Sequence, residues 1–89
     1  MQVTQDTNAI EQNIRQFIVN NFLFGVDDGS LKREDSFLQN GVIDSTGVLE
    51  LVGYLEQSFK IDVSDHELVA ANLDSIQRVA AYVSRKLGS

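Results

Sequence analysis

Apolar residues recur along this chain of 89 residues in three stretches with the spacing of an amphipathic helix. In the first, from about Ala9 to Leu23, Ile10, Ile14, Phe17 and Ile18 fall on one stripe, Asn8 and Glu11 are placed as a capping pair, and Gly25 marks the stop. The second runs from Ser45 or Thr46 to about Phe59, with Val48, Leu51, Val52, Leu55 and Phe59 facing a core and Glu50, Glu56 and Gln57 outside the stripe. The third, from about Ser75 to Leu87, opens at the cap pair Asp74 and Gln77 and buries Ile76, Val79, Ala80, Val83 and Leu87. Arg85 and Lys86 stand in its last turn, where the helix dipole favours cations. Between the second and third stretches, Ser64-Asp65-His66-Glu67 reads as a capping box opening one short helical turn through about Val69.

Periodicity fails from Val26 to Ile43, an irregular connection of about 18 residues carrying Gly29, Ser30 and Gly41. Its apolar residues Leu31, Phe37, Leu38, Val42 and Ile43 are expected to pin it across the helices. The predicted fold is all-α: an antiparallel bundle of three long helices plus one short one, with a long loop between the first two. With no proline, repeat or low-complexity tract to mark a linker, residues 1–89 read as a single domain, residues 1–7 forming a loose N-terminus.

Composition then narrows the chemistry. A chain this short supports one modest core, and a deep cleft of about 300 Å³ or more beside it is not expected, which weighs against an enzyme. The formal charge of −6 disfavours nucleic acid and anionic membrane surfaces and favours basic partners. That charge is concentrated: residues 34–74 hold nine acids against one base, Lys60, for −8, while the remainder has four acids and six bases, for +2. Such acidity suits a soluble monomer. No apolar stretch approaches the roughly 18 residues of a membrane span, and the first residues lack a secretory pattern, so the expected location is the cytoplasm. There is no cysteine, so any thiol chemistry has to be imported.

The candidate site is Ser45, preceded by Asp44 and followed by an amphipathic helix, where the dipole and unpaired N–H groups favour an anion such as a phosphodiester. The same dipeptide is also what an ordinary helix cap looks like. The two readings are compatible, with Asp44 capping and Ser45 exposed. No catalytic residue is assigned: hydrolysis by Ser45 needs a base, and the only imidazole, His66, sits in the capping box of another element. No metal site is assigned either. Counting twelve from Asp27 or Asp28 reaches Leu38 and Gln39 rather than the Glu of a calcium loop, and a zinc-protease reading of His66-Glu67 fails at Ala70.

Taken together, Asp35-Ser36-Phe37, Gly41-Val42-Ile43-Asp44-Ser45 and Glu50-Leu51 reproduce in order and spacing the signature of the acyl carrier protein family, and the resemblance covers most of the chain. The resemblance implies that Ser45 receives 4′-phosphopantetheine from coenzyme A through a phosphopantetheinyl transferase, with Asp44 at the helix start contributing to transferase recognition. It implies an arm whose thiol carries cargo as a thioester between synthase-type enzymes with basic patches, in fatty acid or secondary metabolite biosynthesis. Glu50 and Glu56 are the partner-recognition residues it suggests, although exposed acids are more often only a solvated face. The chain departs from the common pattern just after the serine, where Thr46 and Gly47 stand in place of a Leu or Met. Thr46 therefore bears on partner choice, and the chain looks more like a dedicated carrier than a housekeeping one. It is similar in this respect to stand-alone carriers loaded with an amino or organic acid by an adenylate-forming ligase. The competing reading is an unmodified acidic helical module that binds a basic partner.

Overall fold

The computed structural model describes residues 7–27 and 29–88. The expected loose segment falls almost wholly on residues 1–6, outside that set, and Thr7 is already helical. Every regular element among the described residues is helical: α1 (Thr7–Phe22), α2 (Ser45–Phe59), a 3₁₀ turn (Asp65–Glu67), α3 (Ala70–Leu73) and α4 (Ile76–Gly88). The all-α bundle with its long first connection is thus the architecture the apolar spacing predicts.

On α1 the side chains of Ile10, Ile14, Ile18 and Val19 are buried, and α1 packs along α4. Phe17 lies at the edge of this stripe and stacks on Tyr54 of α2 at 4.2 Å between ring centroids, a contact that joins the two helices. The Asn8–Glu11 capping pair does not form. The helix includes Thr7, so Asn8 is not at its start, and the Glu11 carboxylate accepts both Nε (2.9 Å) and Nη2 of Arg33 in the loop. Gly25 does mark the exit: with φ +79° it turns the chain left-handed and donates its N–H to the Val19 carbonyl at 2.8 Å.

The loop from Leu23 to Ile43 is strapped to the bundle by three buried side chains, Leu31, Phe37 and Ile43. Backbone bonds fasten it further: Phe37 N–H to the Asp74 carbonyl (3.0 Å) and Gln77 N–H to the Arg33 carbonyl (2.9 Å). Arg15 Nη1 also donates to the Leu31 carbonyl at 2.8 Å. Leu38, expected among these pins, is 51% exposed instead, because its neighbour Phe37 takes the inward position.

Two helix boundaries differ from the sequence reading. The capping box at Ser64 and Glu67 forms, but it closes a 3₁₀ turn that ends at Glu67; Val69 is extended (φ −130°, ψ 154°) and caps a separate turn, α3. At α4 the cap is Ser75, whose hydroxyl accepts the Arg78 N–H at 3.1 Å. Asp74 is diverted: its carboxylate accepts the Leu38 N–H (3.0 Å) and the Ser36 hydroxyl, tying the loop to the foot of α4. Along α4, Ile76, Val79, Ala80 and Val83 are buried as expected, Tyr82 joins them, and Leu87 is 40% exposed near the helix end.

The Tyr82 hydroxyl donates to Glu67 at 2.9 Å, and Lys86 Nζ reaches the same carboxylate at 3.1 Å. The Ser64 N–H, Lys86 and Tyr82 together hold the Glu67 carboxyl down at about 2, below its ordinary 4.5. Burial and the adjacent Glu67 carboxylate push the Tyr82 phenol up to about 12. Because the folded Glu67 value is depressed, its contribution to stability is complete above about pH 4.5 and is lost as pH falls toward 2. Tyr82 behaves oppositely, stabilising below its ordinary 10 and losing that contribution as pH rises toward 12. In thermal melts the deficit of Glu67→Gln relative to the parent is therefore expected to shrink from pH 4.5 to 2. Tyr82→Phe is expected to reduce the alkaline loss above pH 10, leaving the part that Tyr54, whose phenol burial also raises, contributes.

Candidate functional site at the start of α2

Phe37 and Ile43 are driven into the core, and the five-residue run that they bracket fixes where α2 begins. Around this run the Ser36 hydroxyl accepts the Gln39 N–H (3.0 Å), the Val42 N–H returns to the Phe37 carbonyl (2.9 Å), and Gly41 supplies the φ of +70° that the turn needs. The chain then reaches Asp44 in an extended conformation (φ −97°, ψ −178°). Asp44 Oδ1 accepts the Gly47 N–H at 2.7 Å, and its carbonyl accepts the Val48 N–H at 3.1 Å. Asp44 is therefore the N-cap, and Ser45, the first helical residue, is exposed. The cap leaves the Ser45 hydroxyl uncommitted at the positive end of a helix of 15 residues. Asp44→Ala removes this cap and is expected to cost about 1 kcal/mol in chemical denaturation.

Gly47 stands where the end of α1 meets the start of α2. A Cβ there would lie 2.9 Å from Ile43 Cγ2 and 2.9 Å from Phe22 Cε1, so the end of α1 and the start of α2 approach each other through a position with no side chain. Thr46 is exposed beside it, as is Glu50 one turn further. Glu56, placed by the sequence with Glu50 on the solvent face, is half-buried and accepts the Val63 N–H at 3.0 Å, so it also braces the chain after α2.

An apolar groove of about 300 Å³ opens beside Ser45. Val48 and Leu49 of α2 form one wall, Leu68, Val69, Ala70 and Leu73 the other, and Leu38 and Asp74 close the end. A cavity of this size is more than a chain of this length predicts. The fold reaches the volume by leaving the groove open, with Leu49 64% and Val69 46% exposed, rather than by enclosing it. Leu49 falls outside the core stripe of α2, an apolar residue on the exposed flank, and that was the available signal. Ser45 and Leu49 are four residues apart and so share one helix face. His66 lies exposed on the 3₁₀ turn.

The start of α2 thus presents an exposed hydroxyl beside an apolar groove, with the helix cap taken by the preceding Asp44. Residues 23–83 match the family model described as phosphopantetheine attachment site. The chain is 33% identical over 78 residues to the acyl carrier protein of Bdellovibrio bacteriovorus, covering 88% of this chain and 95% of that protein. It is 33% identical over 81 residues to the acyl carrier protein of Akkermansia muciniphila, covering 91% and 96%. The chain belongs to the acyl carrier protein family. It is accordingly a carrier rather than an enzyme, with 4′-phosphopantetheine as its prosthetic group. Its family implies dealings with a phosphopantetheinyl transferase and with enzymes. No helix among the described residues is long and apolar enough to cross a membrane.

Proposed function

We propose that Ser45 is the residue through which the arm is attached, and that the carrier shuttles a thioester cargo between enzymes of a dedicated cytoplasmic pathway. The observation that supports this most is the division of labour at the start of α2. Asp44 takes the capping bond to Gly47, so Ser45 keeps an exposed hydroxyl at the helix terminus. The residues fit a phosphate there, because the first-turn N–H groups of Ser45 and Thr46 precede the capped one and the helix dipole favours negative charge. When bound, the arm supplies the thiol that a chain without cysteine lacks.

The groove beside Ser45 then shelters the apolar part of a cargo, removing it from water and from premature hydrolysis. Thr46 and Glu50, both exposed beside Ser45, are the residues offered to partner enzymes with basic patches, with Asp44 contributing to transferase recognition and Glu56 presenting its remaining oxygen. An adenylate-forming ligase that loads an amino or organic acid is the loading enzyme consistent with Thr46. Charge-guided encounters of this kind are fast, weak and salt-sensitive, as a shuttle requires. The test is intact-mass spectrometry after incubation with coenzyme A and a broad-specificity phosphopantetheinyl transferase. One adduct is expected on the parent chain and none on Ser45→Ala; an unmodified parent, alongside a modified control carrier, would refute the proposal.

A further inference from the structure

The two walls of the groove are held in different ways. The α2 wall is rooted in the core through Leu51, Leu55 and Phe59. The opposite wall, from Ser64 to Leu73, has Leu73 alone fully buried; Leu68 is 36% and Val69 46% exposed. Its two ends are fixed. Val63 is held by Glu56 of α2 at 3.0 Å, and Asp74 is held by Ser36 and by the N–H of Leu38. Between those ends the wall hangs on α4 through polar contacts: Glu67 to Tyr82 (2.9 Å) and Lys86 (3.1 Å), Asn72 to Arg85 (3.1 Å), and the Ala70 carbonyl to Arg78 (3.3 Å). The Asn72 side chain in turn donates to the Glu67 carbonyl at 3.0 Å, so Glu67 links the wall's own turn to the helix behind it. Across the groove, α2 faces this wall through open space rather than packing.

We propose that Glu67 is the positioning residue that sets the width of the groove, and with it the length and bulk of cargo that the carrier shelters. This rests on the reading that the groove takes cargo. With both ends of the wall anchored and its middle pulled toward α4, the side-chain clasp at Glu67 determines how far Leu68 and Val69 stand from Val48 and Leu49. Tyr82 is 2% exposed, so the clasp has a rigid backstop. Weakening it lets the wall move toward the groove or away from it without unfolding the bundle, because Leu73 and the two fixed ends remain.

The experiment loads the arm-bearing full chain with butanoyl, octanoyl or dodecanoyl thioester and times cleavage by hydroxylamine, which converts an exposed thioester to the hydroxamate and free thiol. The same acyl thioesters of free pantetheine serve as the unsheltered reference. Parent, Tyr82→Phe and Lys86→Met are compared, with circular dichroism melts confirming that each is folded at the assay temperature. The parent is expected to slow cleavage with a preference among the three chain lengths. Both variants are expected to change the ratio of protection between octanoyl and dodecanoyl by roughly three- to tenfold, the scale of one lost hydrogen bond. Should Tyr82→Phe melt too low, Lys86→Met, altered at a partly exposed contact, decides. Folded variants with the parent's chain-length profile would overturn the role of Glu67, whereas a parent that protects no chain length would overturn the cargo reading itself.

Discussion

Phe37→Ala is expected to cost about 3–5 kcal/mol, a large share of the roughly 5–10 kcal/mol that holds a domain of this size folded. The ring is 1% exposed, although it belongs to a loop, and it is the only aromatic side chain the loop sends into the core. Its backbone is equally committed, donating to the Asp74 carbonyl at 3.0 Å and accepting the Val42 N–H at 2.9 Å. Truncation therefore leaves a cavity and loosens the turn that delivers Asp44 and Ser45. Urea denaturation should show a midpoint lowered by more than that of any surface substitution. Modification by the transferase should fall in parallel. Leu38→Ala, one residue away on an exposed side chain, is expected to stay within about 0.5 kcal/mol of the parent.

The second large effect is expected from Gly47→Leu. The Cβ alone would meet two side chains at 2.9 Å, and one of them, Ile43 Cγ2, is a methyl close to the backbone of a buried residue. Relief requires Phe22 to swing out and the start of α2 to shift, disturbing the Asp44 cap, whose Oδ1 lies 3.4 Å from the same Cβ. Overpacking of this kind costs about 3 kcal/mol or more here, against which the better helix propensity of leucine returns less than about 1 kcal/mol. Thr46→Leu introduces the same side chain one residue earlier, in an exposed position, and is expected to leave stability within about 0.5 kcal/mol. Melting the two variants side by side separates a partner-facing departure from a packing one: only the Gly47 variant should lose stability. Position 46 thus offers an exposed hydroxyl, while position 47, lacking a side chain, brings α1 and α2 together.

The parts of this fold legible in the sequence are those set by local periodicity. Ile10, Ile14 and Ile18 announce α1, Leu51, Leu55 and Phe59 announce α2, and Ile76, Val79 and Val83 announce α4, because each stripe is a property of one helix. Phe37 and Ile43 were legible as loop anchors on a different ground, since apolar residues amid charges in an aperiodic segment need somewhere to go. What escaped depends on residues distant in sequence. Glu11 had the spacing of a capping partner, but Arg33, 22 residues away, provides a stronger one. Asp74 had the position of a cap, but Ser36, 38 residues earlier, claims its carboxylate and leaves the cap to Ser75. The groove escaped because its walls come from α2 and from the segment around α3, and neither wall shows the other in its own pattern. Ser45 is legible in the sequence because its exposure follows from a local cap, Asp44 accepting from Gly47, within one helical turn.

Attachment of the arm at Ser45 is tested by locating the adduct on the chain. The full chain, modified with coenzyme A and transferase, is digested, and the phosphopantetheine-bearing peptide is sequenced by tandem mass spectrometry. The expected result is a single modified residue, Ser45. An adduct on any other hydroxyl, such as Ser36, Thr46 or Ser58, would contradict it, as would a chain that takes no adduct while a control carrier in the same mixture does.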